Sequence, residues 1–222
     1  MVAIDGPAGA GKSTAARRVA EELGFGLVDT GALYRGVALA AQEAGIGWGD
    51  EAALARLAPT LDITLRYDAD GASKVWLDGV DRSADIRTAA ISQGASDVSR
   101  FRGVRHALLG LQRRLGAQGG VVLEGRDIGT VVFPDAEVKV FLTASSAERA
   151  KRRCAELQAR GQQAKIDEVL AAINQRDAQD SQREEAPLRA ADDAFVLDTT
   201  DLELDAVVYN LCELVRRVGN RG

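Results

Sequence analysis

The sequence predicts an α/β fold: a five-stranded parallel sheet sandwiched between helices in three layers. Three observations predict it. Short apolar runs alternate with longer segments of helical periodicity. A glycine-rich stretch directly follows the first run. The composition, with 46% apolar and 27% charged residues over 222 positions, is that of a globular chain long enough for one domain and an insertion.

The elements follow in order. Val2-Ala3-Ile4-Asp5 reads as the first strand, and Ser13 to Leu23 as a helix with Val19, Ala20 and Leu23 on one face and Gly24 as its stop. Gly26-Leu27-Val28-Asp29 is the second strand, feeding a helix striped by Leu33, Val37, Ala41 and Ala44 and ended by Gly45 and Gly47. A short helix, Glu51 to Leu57, stops at Pro59. Asp62–Tyr67 and Lys74–Leu77 then bracket the turn Asp68-Ala69-Asp70-Gly71, a hairpin signal inside an otherwise βαβ chain. That change of pattern marks an insertion over about 57–99, closed by a helix carrying Ile86, Ala90, Ile91, Ala95 and Val98.

The α/β alternation then returns. Val104, Leu108, Leu111 and Leu115 stripe a helix that Gly119-Gly120 breaks before the strand Val121-Val122-Leu123. Lys139–Leu142 is a fourth strand, followed by a Ser145-Ser146 cap with Glu148 in the first turn. Two charged helices, Ala147–Arg160 and Ile166–Glu185, meet around Gly161, ahead of a fifth strand at Ala194–Leu197 and a closing helix, Leu204–Val218.

Composition excludes several function classes. No run of about 18 apolar residues is present, which argues against a membrane span. The net charge of −5 argues against a surface that coats nucleic acid. Cys154 and Cys212 show neither metal spacing nor a disulfide framework, and no charged leader precedes an apolar stretch, so a cytoplasmic setting is expected. Only five of the 28 basic residues are lysines, and arginine's rigid fork suits phosphate.

Gly6-Pro7-Ala8-Gly9-Ala10-Gly11-Lys12-Ser13 fits G-x-x-x-x-G-K-S/T between a strand and a helix, the setting that gives the motif meaning. It is a phosphate loop, or P-loop. Its amides and the helix N-terminus cradle a polyphosphate, Lys12 bridges the β- and γ-phosphates, and Ser13 ligates Mg²⁺. Gly6 through Thr14 are therefore the expected ATP-binding residues. A guanine-nucleotide switch would use the same loop, but its N-K-x-D clamp has only Asn174-Gln175-Arg176-Asp177 as a match, without the lysine and within a helix. Three arginine-bearing patches follow strand ends, where α/β sheets bind ligands: Asp29–Arg35, Glu124–Asp127, and the stretch carrying Arg176, Asp180 and Arg183.

With these motifs in place, "DGPAGAGKST", "DTGALYR", "IRT", "VRHALLGLQR", "EGRDIGTVVFPDA" and "QREEAPL" resemble, in order and spacing, the bacterial cytidylate kinases. The resemblance covers nearly the whole chain. It departs slightly at Thr30, often serine in the family, and at Glu124, often aspartate. It implies a P-loop core over about 1–56, 100–150 and 167–222, a nucleotide-binding insertion over about 57–99, and a helical lid over about 151–166. It also implies Mg-ATP as donor and CMP or dCMP as acceptor; from charge and composition no nucleic acid or membrane partner is expected, and with no surplus apolar face a monomer is the default state.

By the same resemblance, Arg35 and Arg126 hold the acceptor phosphate, with Gly125 beside them, while Arg176 and Arg183 close over the transfer region. Thr30, Tyr34 and Asp180 support the nucleotide, Asp180 at the ribose. Ser96, Arg105 and Asp127 read the base. Lys12, Arg126, Arg153 and Arg176 form the catalytic set. Arg152 and Arg153 are chain neighbours that cannot share a helix face, so one of the two reaches the phosphates. Adenine is expected near Thr199-Thr200. Without the resemblance each position has a plainer reading: Arg105 as a solvated face, Asp127 as a cap, Ser96 as uninformative, Tyr34 as partly core, and Arg176 and Arg183 in exposed ion pairs. A broader uridylate/cytidylate kinase and another small-molecule kinase are the competing readings.

Overall fold

The computed structural model describes residues 1–67, 73–159 and 161–219. The expected hairpin tip, Asp68–Gly71, and Arg160 lie outside the described residues. The chain runs β1 (Val2–Asp5), α1 (Lys12–Leu23), β2 (Gly26–Asp29), α2 (Thr30–Glu43), α3 (Glu51–Leu57), β3 (Ile63–Tyr67), β4 (Ser73–Leu77) and β5 (Val80–Asp81). It continues through α4 (Ala89–Ser99), α5 (Arg102–Gly116), β6 (Val121–Glu124), β7 (Val138–Thr143), α6 (Ser146–Ala159), α7 (Ile166–Gln182), β8 (Phe195–Asp198) and α8 (Leu204–Gly219).

β2, β6, β1, β7 and β8 lie side by side in that order, every neighbouring pair parallel. Strand periodicity sends alternate residues to opposite faces. Ala3 and Leu123 join the core beneath α2, α4 and α5, whereas Val2, Ile4 and Val122 join the core beneath α1 and α8. The result is three layers, as the alternating pattern predicts. The register sets Glu124 opposite both Ile4 and Asp29, so the carboxyl ends of β1, β2 and β6 carry Asp5, Glu124 and Asp29 together. Every residue of the candidate site sits at or beyond this edge or on the helices that face it.

β3, β4 and β5 form a separate antiparallel sheet. Ile63, Leu65, Val75 and Leu77 turn inward and join the core under α2, while Arg66 lies 4.3 Å over the Trp76 ring. Two details differ from the expected elements. Ile86 belongs to a 3₁₀ turn, Asp85–Arg87, because the Thr88 hydroxyl accepts from the Ile91 amide and starts α4 afresh. α7 ends at Gln182 and not at Glu185: Arg183 is extended, and Ala186 takes a left-handed φ of 50° ahead of Pro187.

Candidate active site

The phosphate loop leaves β1 through Gly6, whose φ is 147° and whose Cβ, if it had one, would lie 1.9 Å from the Leu142 carbonyl oxygen. Only glycine passes there. Gly11 is left-handed as the loop enters α1, and the first turn of that helix carries no acidic side chain to compete for its amides. Lys12 is buried and its Nζ donates to the Pro7 carbonyl at 2.7 Å. Burial lowers its pKa, with Arg126 acting in the same direction and Glu124 opposing. A desolvated ammonium so held gains from an arriving anionic phosphate.

Ser13 Oγ donates to Glu124 Oε2 at 2.8 Å. Burial pushes the Glu124 carboxyl up to about 7, and the neighbouring charge of Asp29 adds to the rise. A hydroxyl and a carboxylate are hard oxygen donors that fit Mg²⁺. Among the described residues there is no cluster of three or more His, Cys, Asp or Glu side chains that could hold a metal.

Across the cleft, the Arg35 Nη2–Asp29 Oδ2 distance is 2.6 Å, and Thr30 Oγ1 donates to the Glu124 carbonyl at 2.7 Å. A Cβ on Gly125 would lie 2.8 Å from Thr30 Oγ1, so the backbone comes close to the start of α2 there. Asp180 is the hub of a guanidinium cluster. Arg126 Nε donates to it at 3.1 Å, and Arg176 and Arg183 each approach it at 4.0 Å. One buried carboxylate does not neutralise three guanidiniums. Burial, then Arg126, pulls Arg176 down to about 10, and burial and Arg105 lower Arg183. Arg35 Nε, Arg176 Nε and Arg183 Nη2 are buried without a hydrogen-bond partner among the described residues. Orphaned cationic donors of this kind mark where an anion belongs.

At the far end of the cleft Arg105 pairs with Asp127 and donates through Nη1 to the Ser99 carbonyl at 3.1 Å. Its guanidinium lies 5.7 Å from the Tyr34 ring centroid. Burial raises the Tyr34 pKa. Ser96 Oγ is buried and unpartnered among the described residues. The loop bearing Asp127 is held from below by Asp5, which accepts from the Ile128 and Gly129 amides, both at 2.8 Å. Burial pushes the Asp5 carboxyl up to about 6 against those two bonds.

These groups, Asp5 apart, line one cavity of about 480 Å³. Of the expected binding residues only Gly6, Pro7 and Ala10 do not face it: Gly6 packs beneath β7, Pro7 offers its carbonyl to Lys12, and Ala10 is core. The plainer reading of Arg105 as a solvated face fails, since it is paired with a buried carboxylate. Arg153 faces the cavity and donates to Glu156 at 2.9 Å. Arg152 turns instead to Thr199, donating to Oγ1 at 3.0 Å and to the carbonyl at 2.6 Å. Asp177, from the false guanine clamp, pairs with Arg149. Sequence reasoning missed Asp5 and Arg149, because their partners lie more than a hundred residues away or on another helix.

Comparison with known proteins agrees with this geometry. The family model described as cytidylate kinase matches residues 2–217. A cytidylate kinase of Geobacter sp. (strain M21) is 53% identical over 94% of this chain and 89% of its own. One of Lactobacillus johnsonii is 45% identical over 98% and 94%. A solved structure of an uncharacterized protein from Eubacterium ventriosum covers 97% of both chains with a TM-score of 0.53 and 11% identity, a likeness of fold alone. With a family model spanning almost the whole sequence and relatives near half identical, this chain belongs to the cytidylate kinase family.

Proposed function

We propose that this protein transfers the γ-phosphoryl group of Mg-ATP to CMP or dCMP, producing ADP and CDP or dCDP. The observation that carries the reading is the sharing of one cavity by the phosphate loop, the three guanidiniums around Asp180, and the Arg105–Asp127 pair. These are a donor grip, a charge field for the moving group, and a base reader.

In the transfer, an acceptor phosphate oxygen attacks the γ-phosphorus as its bond to the β–γ bridging oxygen breaks. The attacking acceptor-phosphate oxygen is already ionised near neutral pH, so no general base is needed. Catalysis then rests on in-line placement and positive charge. Lys12, Arg126, Arg153 and Arg176 supply the charge, while Arg35, Arg126, Gly125 and Arg183 seat the acceptor phosphate. Thr30, Tyr34 and Asp180 position the acceptor nucleotide. Ser13 and Glu124 would hold Mg²⁺, which supplies charge neutralisation between the β- and γ-phosphates. Residues of about 151–166 act as the lid that excludes water, and about 57–99 as the acceptor-binding insertion.

For the base, cytosine's amino group donates to Asp127, and its O2 and N3 accept from Arg105 and Ser96. Uracil sets an oxygen against the buried Asp127 carboxylate, a mismatch that hydrogen-bonding sites reject by up to ~10⁴-fold. The reading extends to a cytoplasmic monomer acting on free nucleotides. In support of the compartment, both cysteines are buried free thiols.

The test is a coupled ADP-release assay with CMP, dCMP, UMP, AMP and shikimate as acceptors. CMP and dCMP should stimulate release and exceed UMP by at least ~100-fold in kcat/KM. Equal rates with UMP would favour a broader pyrimidine kinase, and stimulation by shikimate alone a small-alcohol kinase. If no acceptor works, a nucleotide-dependent switch becomes the better reading.

A further inference from the structure

Arg149, in the first turns of α6, is buried and does not line the active-site cavity, yet every arm of its guanidinium is used. Nε donates to the Ala144 carbonyl at 2.8 Å, Nη1 to the Ala8 carbonyl at 3.1 Å, and Nη2 to Asp177 Oδ2 at 2.6 Å. These partners belong to three parts of the molecule: the end of the β7 turn, the crown of the phosphate loop, and α7. A Cβ on Gly9 would lie 3.1 Å from Arg149 Cβ, so the loop and the start of α6 are also packed together.

Stability alone does not call for this arrangement. A buried ion pair contributes little beyond a well-packed apolar pair, because desolvating both ions offsets most of their attraction. What the pair supplies is geometry. Asp177 directly follows Arg176 on α7, and Asp180 and Arg183 follow within two turns. A shift of the Ala8 carbonyl is therefore carried by one planar, rigid fork to the helix that bears the acceptor-side charges.

We propose that Arg149 is a positioning residue that couples polyphosphate occupancy of the loop to the placement of α7, so that donor binding tightens acceptor binding. The proposal rests on the kinase reading of the cleft. By linkage the coupling is reciprocal: CMP tightens the donor by the same factor.

The experiment is calorimetric titration of CMP into the full chain, with and without a saturating β,γ-imido ATP analogue and Mg²⁺. The wild-type CMP Kd should fall at least ~5-fold when the analogue is present. The double variant Arg149→Met/Asp177→Leu removes the pair without leaving a buried lone charge. In it the ratio should drop to within ~2-fold of unity, while the CMP Kd without analogue stays within ~2-fold of wild type and kcat falls ~10–100-fold. Arg149→Lys keeps the charge but loses the fork, and should retain an intermediate ratio. It also serves as the deciding variant if the double variant does not fold. A wild-type ratio near unity, or an unchanged ratio in whichever variant folds, overturns the coupling. If wild type neither binds nor phosphorylates CMP, it is the kinase reading that fails. If CMP turnover is intact and the ratio unmoved, only the role given to Arg149 fails.

Discussion

Asp127 and Asp5 sit on the two sides of one short loop and do opposite jobs. Asp127 faces the cavity and pairs with Arg105. Asp127→Ala removes the carboxylate that the proposed base reader offers to cytosine's amino group, so discrimination between CMP and UMP should fall to below ~10-fold. Binding of the ATP analogue should be unchanged, because the phosphate loop is untouched. Parallel kcat/KM measurements on both acceptors check this, and intact discrimination would remove Asp127 from the base reader. Asp5 faces away and holds the loop through two backbone amides. Its carboxyl is raised from 3.8 to about 6, chiefly by burial. Between pH ~4 and ~6 the folded chain keeps a proton that the unfolded chain has released, so this contribution to stability is full at low pH and is lost as pH rises through the window. Asp5→Asn cannot titrate. The stability of wild type relative to the variant should therefore decline by up to ~3 kcal/mol across that window, as read by denaturant unfolding at a series of pH values. A pH-independent difference would mean that Asp5 does not titrate there. Asp127 was legible in the sequence because it belongs to a motif beyond a strand. Asp5 was not, since its partners lie 123 and 124 positions along the chain.

On the proposed reading the helices carry the acceptor side, and their seating depends on close packing. Gly94 of α4 faces Trp48: a Cβ there would lie 2.4 Å from the indole, whose Nε1 donates to the Ala38 carbonyl of α2 at 2.9 Å. Gly94→Ala should therefore push the indole off α2, at a cost of ~1–3 kcal/mol. For a domain of this size that lowers Tm by about 2–12 °C. Because Ser96 and Ser99 ride on the same helix, KM for CMP should rise more than KM for ATP. A variant as stable as wild type would show that Trp48 yields without loss. Strands such as Val2–Asp5 and Val121–Glu124 were readable from their apolar runs. The end of α7 was not. Glu184-Glu185 continue a helical composition, but Pro187 bars Ala186 from the α region, and Arg183 Nε donates to the Ala186 carbonyl at 2.6 Å. That capping turn keeps Arg183 beside Asp180, out of solvent. β5 escaped notice because it is only two residues long.

At the scale of the molecule, charge is distributed against its own sum. The chain carries −5 overall, yet seven cationic side chains face the cavity against five acidic ones. All five acids are engaged: Asp29 with Arg35, Glu124 with Ser13, Asp127 with Arg105, Glu156 with Arg153 and Asp180 with Arg126. A cleft of this sign in an acidic body focuses field lines on its mouth and draws phosphates in from solution. The alternating strands and helices made the three layers and the phosphate loop legible. The strand order, which brings the ends of β1, β2 and β6 together, came only from the assembled fold. The concentration of charge was legible in part, as arginine-bearing patches beyond strand ends; the assembled fold joins to them Arg105 and Arg153, which come from α5 and α6. The expected consequence is kinetic. Raising KCl from ~50 to ~300 mM shortens the screening length from about 14 to about 6 Å, which weakens steering at the mouth much more than contacts inside the cavity. Thus kcat/KM for CMP should fall ~3–10-fold over that range while kcat changes less than ~2-fold. Arg35→Gln should flatten the dependence, since it removes one of the steering charges. Initial-rate kinetics at fixed Mg-ATP measure both quantities. A salt dependence carried by kcat instead would place the screened interactions in the transfer step, not in the encounter.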